Sequence, residues 1–165
     1  LFTPIVGDLV LMTRAQFGYL GYYNRNLGYS PFEGFIVGGD GMSGYNTYGS
    51  DIIGLRGYEN NSLTPRKNNG YVGNVYDKFT VELRYPLVLQ PQSTIYALLF
   101  LEGGNSWSDI KDFNPFQIKR SAGVGVRVLL PIVGMLGIDW GYGFDPVGDK
   151  RRGGSNFHFV IGQQF

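Results

Sequence analysis

Cysteine is absent from the 165 residues of this chain, so no disulfide framework and no cysteine-based metal site is available. Histidine is almost absent too. The single one, His158, cannot complete a multi-histidine metal site, and no Ser-His-Asp set can be assembled around it. Charge of one sign is also lacking: the formal net charge is +1, which gives no basic face for nucleic acid. No apolar run reaches the roughly 18 residues of a membrane-spanning helix. Gly38-Gly39-Asp40-Gly41 lacks the Lys-Ser/Thr of a phosphate loop and reads as turn chemistry. Asp109, Asp112 and Asp145 are scattered without a ligand pattern, so neither a metal nor a cofactor is expected. No signal peptide is visible in residues 1–8, where Pro4 and Asp8 interrupt a short apolar start.

What is abundant is glycine and aromatic residues: 26 Gly, 12 Tyr and 12 Phe, with 43% hydrophobic residues in all. High glycine and aromatic content without a collagen period points to many short strands. The mean hydropathy of −0.09 is compatible with a membrane barrel, because half of each spanning strand faces a polar lumen.

Six segments alternate between an apolar and a polar or small face. Residues 9–22 carry Leu9, Leu11, Thr13, Ala15, Phe17 and Tyr19 against Arg14, Gln16 and Gly18. Residues 79–87 set Phe79, Val81, Leu83, Tyr85 and Leu87 against Thr80, Glu82 and Arg84. In 94–103, Ile95, Ala97, Leu99 and Leu101 share a face and Glu102 takes the other. In 118–130, Ala122, Val124, Val126, Val128 and Leu130 oppose Ser121, Gly123, Gly125 and Arg127. In 135–144, Leu136, Ile138, Trp140, Tyr142 and Phe144 oppose Asp139, Gly141 and Gly143. The last segment, 157–165, alternates Phe157, Phe159 and Ile161 with His158, Val160 and Gly162, and ends on Phe165.

A soluble antiparallel sandwich also alternates, but its outer face is dense in Lys, Glu and Thr. Here the polar face is sparse, glycine-rich and dotted with single charges, and aromatics gather near strand ends as an interfacial girdle requires. Connections alternate as well: tight turns at 90–93 and 131–134, long segments at 24–78, 104–117 and 145–156. This is the pattern of periplasmic turns and extracellular loops. The expected fold class is therefore all-β, a transmembrane antiparallel β-barrel. Six strands are too few to close a single-chain barrel, which starts at about eight, so the chain is expected to be part of a larger one.

The connection at 24–78 spans about 55 residues, far beyond an ordinary loop. Its apolar content, with Phe32, Phe35, Ile36, Val37, Ile52, Ile53 and Leu55, points to packing inside the lumen, and Gly38, Gly39 and Gly44 permit tight folding. It carries Leu55-Arg56-Gly57-Tyr58. Glu82 and Glu102 face the lumen on the two segments that follow, and an arginine folded inward meets carboxylates with a fork suited to bidentate pairing.

These segments resemble the carboxy-terminal barrel region of the Omp85 superfamily, and within it the BamA family of outer-membrane assembly factors. Leu55-Arg56-Gly57-Tyr58 is similar to the Val-Arg-Gly-Phe motif on the lumen-inserted sixth extracellular loop of that family. Glu82 in Val81-Glu82-Leu83-Arg84-Tyr85 and Glu102 in Phe100-Leu101-Glu102-Gly103-Gly104-Asn105-Ser106-Trp107 match its two inward acids. Ser121-Ala122-Gly123, Gly134-Met135-Leu136-Gly137-Ile138-Asp139 and the closing 157–165 segment complete a match over nearly the whole chain. The departures are Leu for Val, Tyr for Phe, and one Glu for Asp.

The resemblance implies that residues 1–165 are the last six strands of a sixteen-stranded barrel in the bacterial outer membrane, with the POTRA domains and earlier strands lying outside them. It implies no enzymatic activity. It implies an insertase of the BAM complex, acting on unfolded outer-membrane protein clients through a lateral gate. The gate strand would present Phe157, Phe159, Ile161, Gly162 and Phe165, while Arg56 with Glu82 and Glu102 would hold the loop. BAM accessory lipoproteins and outer-membrane lipid or lipopolysaccharide are the other implied partners. A secretion transporter of the two-partner type shares the loop motif, and a passive porin is a third reading. Glu82 and Glu102 as a glycosidase pair fit less well than a structural ion-pair network. Lys150-Arg151-Arg152 reads as a solvated basic tip.

Overall fold

Period-two alternation over ten or more residues is the signature of long strands with two unlike faces, and long strands dominate the computed structural model of the chain. It describes residues 1–165 apart from 25, 27, 31, 43–48, 69, 91–92, 132–133 and 163–165. Phe165 and Gly44, singled out above, therefore lie outside the described residues.

The strands run in the order β1 (Phe2–Val6), β2 (Leu9–Tyr19), β3 (Gly34–Val37), β4 (Ser50–Ile53), β5 (Arg66–Lys67) and β6 (Gly70–Tyr71). They continue with β7 (Val75–Gln90), β8 (Ser93–Trp107), β9 (Lys119–Leu130), β10 (Gly134–Gly143) and β11 (Gly154–Gly162). Seven of them form one antiparallel sheet in the order β1-β2-β7-β8-β9-β10-β11. The expectation of six strands is thus corrected to seven. The additional one is β1, in the short apolar start interrupted by Pro4 that was not among the six alternating segments. Proline lacks a donor and is tolerated at a bulge, and the register of β1 against β2 shifts between Pro4 and Val6.

Strand limits also move. β7 begins at Val75, before the expected 79, because Val75 to Lys78 continue the ladder with Tyr19 to Gln16. β8 runs past Gly103-Gly104 to Trp107, since both glycines keep their pairing with Phe79 and Lys78. Short connections join β1 to β2, β7 to β8 and β9 to β10, while long ones join β2 to β7, β8 to β9 and β10 to β11. The connection from β8 to β9 carries one 3-10 turn, Ile110–Asp112, capped by the Asp109 side chain.

The two faces of the sheet differ in kind. Phe79, Val81, Tyr85, Leu99, Leu101, Val124, Ile138, Phe157 and Phe159 stand exposed on one side. Thr80, Glu82, Phe100, Glu102, Arg127, Asp139 and His158 are buried on the other. A water-soluble sheet buries its apolar face, whereas a barrel wall in lipid presents it outward and keeps its polar groups inside. Among the described residues no helix is long and apolar enough to span a membrane.

The polar face is covered by the connection from β2 to β7. It holds a two-stranded parallel sheet, β3 with β4, and a small hairpin, β5 with β6. Phe35, Val37, Leu55, Tyr58 and Leu63 form an apolar core together with Tyr76 of β7, and β3 packs on the inner side of β7 and β8. The loop therefore shares its core with the wall and is fastened to it.

Candidate functional site

Residues 55–58 of the connection are buried against the polar face. Leu55 and Tyr58 are fully buried, and Arg56 is only 8% exposed. Leu55 pairs with Gly39 in an isolated bridge. Gly57 adopts φ +86°, and a Cβ there would lie 2.8 Å from Ser121 Cβ and 3.0 Å from the Gly143 nitrogen. Only glycine combines that backbone conformation with so close an approach to the wall. Tyr58 donates its hydroxyl to the Arg120 carbonyl at 2.6 Å. Burial pushes this phenol up to about 12, so it remains a donor at neutral pH.

Arg56 enters a cluster of three carboxylates contributed by three strands. Its Nη2 donates to Glu82 Oε1 at 2.5 Å and to Glu102 Oε1 at 2.8 Å, and its Nη1 to Asp139 Oδ2 at 3.2 Å. The Arg56 backbone N–H adds a bond to Glu102 Oε2 at 2.8 Å. The guanidinium also stacks on the Phe100 ring, 3.8 Å from its centroid, a contact worth about 2 kcal/mol when desolvated. Burial opposes the charge on Arg56, but Glu102, Glu82 and Asp139 more than offset it, and its pKa is raised above the ordinary arginine value.

The register explains why these groups meet. Glu82 stands opposite Phe100, Thr80 opposite Glu102, and Asp139 opposite Gly125 and His158. All are on the inward parity of their strands. Gly125 leaves the space for Asp139, since a Cβ at that position would collide with the carboxylate.

Further cations complete the network. Lys78 Nζ lies 3.2 Å from Glu102 Oε1 and donates to the Gly54 carbonyl at 2.5 Å. Arg84 donates to Glu82 through Nε and Nη2 at 2.8 and 2.6 Å. Arg127 holds Asp139 through two bonds of 2.6 Å each. Glu82, Glu102 and Asp139 thus face Arg56, Lys78, Arg84 and Arg127, so every acid is multiply paired, as buried carboxylates need to be. Among the described residues no group of His, Asp and Glu could hold a metal ion.

Of the residues singled out from the sequence, Leu55, Arg56, Gly57, Tyr58, Glu82 and Glu102 come together here. Phe157, Phe159 and Ile161 do not: they stand 68%, 58% and 66% exposed on the outer face of β11. Gly162 ends that strand at φ +129°. Asp139 and Arg127 were read only as inward residues, yet they form the third corner of the cluster. The parity of 135–144 placed Asp139 in the lumen, but its meeting with Arg56 depends on the stagger between strands.

An outward apolar wall, an inward network of ion pairs and a long inserted loop are what a lumen-plugged membrane barrel requires. Compared with models of known protein families, residues 1–165 match the Omp85 superfamily domain over their full span. The chain belongs to the Omp85 superfamily, outer-membrane β-barrel proteins that handle substrate proteins by transport or assembly and not by enzymatic chemistry.

Proposed function

We propose that this chain is the carboxy-terminal wall of an outer-membrane assembly factor of the BamA type, which inserts unfolded barrel proteins into the bilayer through a lateral gate beside β11. The observation that carries this reading is the loop clamp. Arg56 ties the inserted loop to β7, β8 and β10 at once, while β11, at the margin of the sheet, has β10 as its neighbour. On this reading β11 meets the earlier strands of the same protein at the gate, and a seam strand released there presents amides and carbonyls able to template an incoming strand. Gly162, at φ +129°, weakens the end of that ladder. A loop pinned to three strands by buried ion pairs is more machinery than a simple pore needs, although porins also carry constriction loops.

On this reading the lumen residues Leu55, Arg56, Gly57, Tyr58, Glu82 and Glu102 hold the loop, and Phe157, Phe159, Ile161 and Gly162 belong to the gate strand. Earlier strands and POTRA domains of the same protein complete the barrel and receive clients, and accessory lipoproteins of the BAM complex and lipopolysaccharide surround it. The test reconstitutes the full-length protein in liposomes and presents a urea-denatured barrel client, scoring folding by heat-modifiable gel shift. The wild type accelerates client folding over empty liposomes, and Arg56→Ala loses most of that gain. No acceleration by the wild type would overturn the assembly reading in favour of a secretion transporter.

A further inference from the structure

The loop is also fastened to β11, through contacts that the acid cluster does not account for. Gly57 gives both of its backbone groups to side chains of that strand. Its N–H donates to His158 Nε2 at 2.9 Å, and its carbonyl accepts from Asn156 Nδ2 at 3.0 Å. An imidazole accepting at Nε2 is neutral and carries its proton on Nδ1. Farther along the strand, the Ile161 amide donates to Met42 Sδ of the same loop at 3.2 Å.

Two features make the Gly57 contact selective. Asn156 and His158 are two residues apart, hence on one face of the strand, and both point inward at a single residue of the loop. The loop backbone has no freedom to follow if β11 moves, because Gly57 is pressed against Ser121 and Gly143, and Gly141 would meet its nitrogen at 2.7 Å if it carried a Cβ. The ties are therefore in series. Arg56 fixes the loop to β7, β8 and β10, and the next residue passes that hold to β11.

On the assembly reading β11 borders the gate, so side-chain ties to the loop contribute to what keeps it seated when its seam pairing is lost. We propose that His158 and Asn156 are positioning residues that latch β11 to the inserted loop through the two backbone groups of Gly57, so that β11 leaves its seated position only when the loop disengages. The proposal rests on the assembly reading, in which β11 is the strand that yields to a client. It places control of that opening in the loop.

Hydrogen–deuterium exchange of the full-length protein in lipid nanodiscs tests it. His158→Leu and Asn156→Ala each raise exchange across Gly154–Gly162 about five- to tenfold, the effect of one lost hydrogen bond on a local opening. The amides of β8 stay at wild-type protection. His158→Gln, whose side-chain oxygen accepts the same N–H, restores protection in β11. Wild-type exchange in His158→Leu, or an equal rise in His158→Gln, overturns the latch. Because the readout is exchange and not client folding, failure of the latch and failure of the assembly reading remain distinguishable.

Discussion

Arg127 and Asp139 show what a single residue inside the wall is worth. Asp139 is fully buried and Arg127 is 5% exposed. The guanidinium finds its partners in the Asp139 carboxylate and, more weakly, in the Val126 carbonyl at 3.3 Å. Asp139→Ala therefore leaves a buried cation without a counter-ion and costs about 3–5 kcal/mol, whereas removing both charges leaves none behind. Denaturant unfolding in lipid vesicles, followed by tryptophan fluorescence, should show a large loss for Asp139→Ala and recovery of much of it in Asp139→Leu/Arg127→Met. Equal losses in the two variants would mean that the pair is not the source of the stability. A rim pair behaves differently. Hydrogen bonding from Arg120 holds the Asp145 carboxyl below its ordinary pKa, but the Arg120 side chain is 65% exposed, and exposed pairs contribute little.

At the scale of the strand, parity does most of the work. Leu99 is 56% exposed in β8 and stands between Leu83 of β7 and Val124 of β9, an apolar row facing lipid. Leu99→Arg should cost about 2–4 kcal/mol where the strand crosses the bilayer midplane. Phe116→Arg, on an equally apolar but 91% exposed loop position, should remain within about 0.5 kcal/mol of wild type. The same vesicle unfolding assay checks both, and similar costs at the two positions would mean that Leu99 does not face lipid. Strand limits were less legible than strand faces. The alternation stops at Gly103 and starts at Phe79, which left Gly104 and Asp77-Lys78 in the connections, because glycine and charge are poor strand formers in isolation. In the sheet these residues are carried by ladders on either side, and that cooperative pairing outweighs local preference.

At the scale of the molecule, the loop and the wall form one unit. The wall supplies the acids, the loop supplies the arginine, and the apolar cluster of Phe35, Val37, Leu55, Tyr58, Leu63 and Tyr76 joins them. Arg56→Ala removes the hold on three strands and the cation that the acids share, leaving Glu82, Glu102 and Asp139 with Arg84, Lys78 and Arg127 of the wall alone. The loop then spends more time away from the wall, and limited proteolysis of the full-length protein in liposomes should cut within residues 34–71 well before any strand of the main sheet. Unchanged resistance would show that the apolar cluster alone keeps the loop seated.

The order of apolar and polar side chains, acting through the two-residue period of an extended chain, was enough to reveal an all-β membrane wall, its lipid face, its lumen face and the inward acids Glu82 and Glu102. The inserted loop was also legible, because a connection of that length with so many apolar residues needs a surface to bury them. Tertiary structure alone decided the rest. Whether Pro4 and its neighbours form a strand depends on the presence of β2 beside them. Whether Asp139 and Arg127 join Arg56, and whether His158 and Asn156 grip Gly57, depends on stagger between strands and on how closely the loop can approach. Those are distances between segments up to about a hundred residues apart in sequence, and no local pattern encodes them.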